Sequence, residues 1–225
     1  MDQMKRYAIY YAPREGAFAD AAAAWLGWDM PRGQRAAQAL PAALAKLTED
    51  PRKYGFHGTL KAPFRLTEGL GLQDLTQGLR ALAGQLAPLR LAGLELSHHH
   101  GFLALTPLGA QDQLQALASE VVRALEPYRA ALTAAEYARR RPESLSHRQR
   151  ELLDTYGYPF VMEEFQFHLT LSGALTPPQA EVLIPAARTH FTGLIPQPFE
   201  VQDLCLCGED AMGRFHLLHR YPLSA

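Results

Sequence analysis

The chain has 225 residues, of which 48% are hydrophobic and 20% charged, with a net charge of −1. That length is enough for one large domain or two intimate lobes around a substantial core. The near-neutral balance gives no electrostatic footprint of a nucleic-acid scaffold or a membrane-surface protein, so no membrane partner is expected and nucleic acid only as RNA ends; a small anionic substrate needs no more than a local cluster of Lys and Arg.

In chain order, Met1 to Pro13 shows no apolar run followed by a small-residue cleavage site, and no signal peptide is read. Arg6 to Ala12 is rich in β-formers and reads as the first strand, ended by Pro13. Ala17 to Trp28 carries Phe18, Ala22, Trp25 and Leu26 at helical spacing. Met30 to Gln38, with Pro31 and Gly33, reads as a loop, and Pro41 to Thr48 as a short helix started by proline. A strand follows over Phe56 to Phe64, then a helix over Leu72 to Ala87 with leucines at 72, 75, 79, 82 and 86. Leu89 to Leu96 and Phe102 to Thr106 form a hairpin around Ser97-His98-His99-His100-Gly101. Asp112 to Leu125 is an amphipathic helix. Thr133 to Gly157 is polar and reads as helices around Pro142, the second capped near Ser144 or Ser146. After the Tyr156-Gly157-Tyr158-Pro159 loop comes a strand over Glu164 to Ser172, a helix over Pro177 to Thr189, and strands over Phe199 to Cys207 and Arg214 to Tyr221. This order of elements points to a mixed α+β fold with antiparallel sheets. No flexible linker separates the halves, so residues 1–225 are expected to form a single bilobal domain.

Cys205 and Cys207 lie two apart, poorly placed to bridge each other, which fits a reducing compartment and a cytoplasmic location. They read as packed small residues. No 18-residue apolar stretch occurs, and no membrane span is expected.

Two stretches stand out, Phe56-His57-Gly58-Thr59-Leu60 and Phe167-His168-Leu169-Thr170-Leu171. In each, a histidine and a threonine two residues on share one strand face, with Phe and Leu on the other. The histidines are 111 residues apart (168 − 57), close to half the length of the 225-residue chain, which suggests a duplicated architecture. Histidine titrates near neutrality and serves as acid or base. Two histidines on opposite sides of one phosphorus atom divide an in-line transfer between them, while Thr59 and Thr170 hydroxyls hold the non-bridging oxygens. By strict alternation Lys61 falls on the His57 face and would add a point charge. The scheme needs no metal and no cofactor.

Those residues resemble the 2H phosphoesterase superfamily, in which two His-x-Thr/Ser-x motifs sit among apolar residues; the match is His57-Gly58-Thr59-Leu60 and His168-Leu169-Thr170-Leu171. The stretches from Pro51 to Phe64, Arg139-Arg140-Arg141-Pro142 and Tyr156 to Phe160 resemble the branch associated with phosphonate-metabolism operons. The resemblance covers nearly the whole chain. It implies a bilobal, pseudo-two-fold α+β fold in which two antiparallel sheets form a central cleft with helices packed outside. It also implies metal-independent cleavage of a cyclic phosphodiester, of the 2′,3′-cyclic or ribose 1,2-cyclic phosphate type. His57, Thr59, His168 and Thr170 would be catalytic, and Lys61, Tyr158 and Arg140 would bind the substrate, Arg140 as one of three arginines able to hold a second phosphate. The alternative left open is a non-catalytic module that binds a nucleotide or an RNA end. His98-His99-His100 invites a zinc reading, but consecutive turn residues diverge and a polar hairpin tip is expected.

Overall fold

The computed structural model describes residues 4–225; Met1 to Gln3, part of the stretch in which no signal peptide is read, lie outside the described residues. The elements are β1 (Arg6–Tyr11), α1 (Ala17–Leu26), α2 (Ala42–Ala45), α3 (Glu49–Arg52), β2 (Gly58–Phe64), α4 (Leu72–Ala83), β3 (Leu89–Leu91), β4 (Leu94–His99), β5 (Phe102–Pro107), α5 (Asp112–Ala124), α6 (Ala134–Ala138), α7 (His147–Tyr156), β6 (Leu169–Ala174), α8 (Pro177–His190), β7 (Phe199–Val201), β8 (Asp203–Glu209) and β9 (Phe215–Pro222). The fold is mixed α+β, with a seven-stranded antiparallel sheet ordered β4-β5-β6-β2-β1-β8-β9 and a two-stranded sheet of β3 and β7.

The large sheet divides at its centre into two runs. From β2 the order runs to β1, β8 and β9; from β6 it runs to β5 and β4. The two lobes therefore share one sheet, joined along a seam where Gly58 and Leu169 are the registered pair. Each lobe takes strands from both halves of the chain: the β4–β5 hairpin crosses to β6, and the β8–β9 hairpin returns to β1. That exchange accounts physically for the absence of a linker in the sequence.

One face of the sheet is the main core. Ile9, Leu60, Leu105, Leu169, Leu171 and Leu206 share this core with Trp25, Leu79, Leu117 and Leu183 from the helices and Phe191 just past α8, all fully buried or nearly so. Burying a leucine side chain is worth about 1.5–3 kcal/mol, so the apolar halves of both motif strands anchor the seam. Trp25 also donates from Nε1 to the Leu171 carbonyl at 2.8 Å. Part of the opposite face is covered by Trp28 and Met30 over Ala8, Tyr10, Cys205, Cys207 and Phe215. Both cysteines are buried and unbridged, and burial pushes the Cys205 thiol up to about 12, so they pack as inert small residues.

The predicted runs Leu89 to Leu96 and Phe199 to Cys207 each break into two strands. β3 and β7 leave to pair with each other, while β4 and β8 stay in the large sheet. Alternation continues through such a change of partner and cannot signal it. The motif strands also start later than predicted, at Gly58 and Leu169, so each histidine precedes the first strand residue. The single turn α3 carries no apolar period; Arg52 fixes it, donating to the Leu26 carbonyl at 2.6 Å, the Ala45 carbonyl at 2.8 Å and Thr48 Oγ1 at 3.0 Å. α7 starts as expected, with Ser146 and Gln149 forming a reciprocal cap at 3.1 Å in both directions.

Candidate active site

The Gly58–Leu169 pair is the middle residue of both motifs. Counting one residue outward from this antiparallel pair sets His57 across from Thr170 and Thr59 across from His168. Residues directly opposite on one face have Cβ atoms about 4.5–5.5 Å apart. All four side chains line a single solvent-open cleft of about 1060 Å³, together with Tyr10, Tyr54, Phe102, Arg140 and Tyr158. The sequence thus repeats a motif, and the topology brings the copies together across a seam.

The two histidines share one local hydrogen bond. His57 Nδ1 lies 2.9 Å from the Gly55 carbonyl, and His168 Nδ1 lies 2.9 Å from the Gln166 carbonyl. A carbonyl only accepts, so in each ring Nδ1 carries the proton, and a neutral ring presents Nε2 as an acceptor. Gly55 is at φ 71°, and a Cβ there would come within 2.5 Å of Met30 Cβ, so glycine is the residue that lets this carbonyl turn to His57. Each ring also has an aromatic support: Tyr10 at 4.0 Å from His57, centroid to centroid, and Phe102 at 5.3 Å from His168. Burial against this apolar surface, with a smaller contribution from His168, lowers His57 from 6.5 to about 4, against the opposing pull of the Gly55 hydrogen bond. His57 is neutral at physiological pH.

The middle residues of the motifs differ for a steric reason. A Cβ on Gly58 would lie 2.2 Å from Phe167 Cζ, so the Phe167 ring occupies that space. Phe167 packs with Tyr11 and Phe199 at centroid distances of 6.1 and 5.7 Å, and so couples the second motif to β1 and β7.

Lys61 does not reach the cleft. The register steps from Tyr10↔Thr59 to Ile9↔Lys61, leaving Leu60 as an extra residue. This bulge reverses the parity, so Lys61 turns to the helical side and Ala62 takes the cleft position. Lys61 is 3% exposed and donates to the Val122 carbonyl at 3.2 Å and Glu126 Oε2 at 3.1 Å. Arg129 bonds the other Glu126 oxygen, Oε1, at 2.8 Å from Nε, so the lysine belongs to a buried ionic strut beneath the site.

The segment from α6 to Pro159 makes one wall. Arg140 and Tyr158 both line the cleft, with the guanidinium carbon 4.9 Å from the phenol ring centroid. Burial raises the Tyr158 phenol, and the Arg140 charge opposes that shift. Tyr156 instead packs beside Val122, Leu152, Val161 and Met162. Arg6 lines the cleft but is committed to Glu209 through two bonds of 2.5 and 2.8 Å. Past His168, Phe102 and Tyr158 lies a second chamber of about 1140 Å³ that includes Gln149, Glu164 and Gln166. His100 projects there from the hairpin turn, with Nε2 3.2 Å from Gln166 Oε1. Among the described residues no group of three His, Cys, Asp or Glu side chains is placed to hold a metal ion, and no helix is long and apolar enough to cross a membrane.

Tyr10, Tyr54 and Phe102 were not among the sequence-derived site residues. Tyr10 becomes visible only once β1 is known to flank β2. Tyr54, whose ring centroid is 5.9 Å from that of His57, sits inside the quoted Pro51–Phe64 stretch and was the accessible signal.

This chain is 36% identical over 234 residues to a curated protein of Janthinobacterium sp. (strain Marseille) named ribose 1,5-bisphosphate phosphokinase PhnN, a match covering 99% of this chain and 52% of the relative. A protein of the same name from Laribacter hongkongensis (strain HLHK9) is 36% identical over 204 residues, covering 87% of this chain and 46% of the relative. The chain spans about half the length of the curated relatives it matches. The solved structure of E. coli LigT complexed with NADP+ aligns over 100% of both chains at 15% identity with a TM-score of 0.48. Residues 59–216, well over half of the chain and with Thr59, His168 and Thr170 inside the match, fit one family model: the chain belongs to the family described as Protein of unknown function (DUF1045).

Proposed function

We propose that this protein is a metal-independent phosphoesterase of the two-histidine type, acting on a cyclic phosphodiester. The observation that carries the reading is the Gly58–Leu169 pairing, which sets two His-x-Thr motifs across from each other in one cleft. His57, neutral and carrying its proton on Nδ1, is suited to accept a proton at Nε2 from an attacking water. His168 serves in its imidazolium form: Nδ1–H stays on the Gln166 carbonyl, and the second proton, on Nε2, goes to the leaving ring oxygen. Water adds to phosphorus, one ring P–O bond breaks, and the products are a phosphomonoester and a free hydroxyl; the proton taken by one histidine balances the proton released by the other. Thr59 and Thr170 hydroxyls donate to the non-bridging oxygens as charge develops there. An anionic phosphoester beside His57 favours its protonated form and brings its pKa back toward neutrality as the reaction needs.

Within cyclic esters, the ribose 1,2-cyclic phosphate type is favoured over the 2′,3′-cyclic type. The relatives' name refers to ribose 1,5-bisphosphate as a substrate. Opening a 1,2-cyclic phosphate at the 2-oxygen leaves a 1-phosphate, and a sugar already phosphorylated at carbon 5 then becomes ribose 1,5-bisphosphate. The test is turnover of ribose 1,2-cyclic phosphates and nucleoside 2′,3′-cyclic phosphates, with product analysis by phosphorus NMR. Ring opening to a 1-phosphate, insensitive to EDTA, supports the reading. Tight binding of these esters without turnover between pH 5 and 9 replaces it with a binding module.

A further inference from the structure

Arg139, Arg140 and Arg141 are adjacent, yet only Arg140 lines the cleft. The backbone produces this selection. α6 is capped by Thr133 and Glu136, and its chain closes through Arg140 N to the Tyr137 carbonyl at 2.9 Å. Arg141 then takes a left-handed conformation at φ 48°, uncommon for a residue with a Cβ, before Pro142 starts the next turn. Arg139 and Arg141 are left exposed while Arg140 is half-buried against Tyr158.

Arg140 also differs in charge from the other ionic groups of the cleft. Arg6 is neutralised by Glu209, and Asp50, the carboxylate on the wall formed by α3, faces Lys53 at 3.3 Å. Among the described residues no carboxylate pairs with Arg140; its partner is the ring of Tyr158, which orients the planar guanidinium and leaves its N–H fork for a ligand. The reacting phosphorus has its own donors on the sheet floor in Thr59 and Thr170. Arg140 comes instead from the helical wall, with the Tyr54 and Tyr158 side chains lining the same cleft.

We infer that Arg140 is the anchor for a second anionic group, remote from the reacting ester, so that the substrate is a sugar carrying a cyclic phosphodiester and a separate phosphate. The inference rests on the phosphoesterase reading for the cyclic ester, whereas the remote phosphate is argued from Arg140 itself. A guanidinium paired with a phosphate supplies a charge-assisted bidentate contact, the kind that separates two ligands differing by one phosphate by about 10- to 100-fold.

The test compares ribose 1,2-cyclic phosphate with its 5-phosphorylated form. On the unaltered protein the 5-phosphate should improve kcat/KM by at least about 10-fold, chiefly through KM. In Arg140→Ala that ratio should fall to near one, and Arg140→Lys should keep an intermediate ratio because it retains charge without the fork. The same two ligands titrated calorimetrically into His57→Ala should show the same ratio in Kd, which reads the anion site without turnover. A ratio unchanged by Arg140→Ala overturns the inference. So does an equal loss of kcat on both esters, which would place the guanidinium on the reacting phosphate. If neither ester is turned over but the Kd ratio depends on Arg140, the catalytic reading falls and the anion site stands.

Discussion

At the scale of single residues, the proposed chemistry turns on how two imidazoles are oriented. Both donate from Nδ1 to the carbonyl two residues back, a local device written into each motif and independent of the lobe around it. His57 adds a buried environment that holds it near 4. A free-enzyme kcat/KM profile should therefore show the acid limb of the base near pH 4, and a limb at the usual 6.5 would assign the base elsewhere. Because the folded value lies below the unfolded one, the stability linked to His57 is present above pH 6.5 and is lost as pH falls toward 4. Chemical denaturation across that window should show His57→Gln losing less stability on acidification than the unaltered protein. Gly58 is set by a different force, the volume of Phe167. Gly58→Ala should lower stability by about 1–3 kcal/mol and reduce kcat by displacing the strand that carries His168, measured as Tm and turnover; an unchanged pair of values would show that Phe167 yields freely.

At the scale of elements, the motif strands were legible because apolar residues alternate with the polar face on both, and Leu60, Leu169 and Leu171 are buried as that pattern requires. Lys61 was misplaced because alternation assumes an unbroken ladder: one extra residue at Leu60 reverses the faces of Lys61 and Ala62, and a second register step returns Phe64 to the core. Lys61→Met is the check on that correction. It should leave KM for a phosphate ester within about 2-fold, since Arg129 still neutralises Glu126, whereas loss of a direct phosphate contact costs about 10-fold or more. The wall that carries Arg140 and Tyr158 was read correctly as helices around Pro142. Which of three consecutive arginines turns inward was not legible, because all three are the same residue type and only the backbone at the end of α6 and the contact with Tyr158 tell them apart.

At the scale of the whole molecule, the half-length repeat suggested a duplicated architecture with one motif per half of the chain, and the two motif strands do come from opposite halves. The sheet order adds an exchange: β4–β5 completes the lobe of β6, and β8–β9 completes the lobe of β1. Spacing alone cannot reveal such a swap, since the order of elements along the chain is the same either way. Neither half contains a complete lobe, so residues 1–110 or 111–225 expressed alone should give no cooperative thermal transition, while co-expressed halves should regain one. A stable, cooperatively folding half would contradict this account of the lobes. The exchange also bears on the chemistry, because the seam between Gly58 and Leu169 is what sets His57 and His168 on one floor.

The pairing of the two histidines is tested most directly by one measurement: the rate of ring opening of a cyclic phosphodiester by the unaltered protein, His57→Ala and His168→Ala, with circular dichroism confirming that all three are folded. The unaltered protein should turn the ester over, unaffected by EDTA, and either variant should fall by about 10²- to 10⁴-fold, one acid–base role being lost each time. Full activity in either folded variant would contradict it.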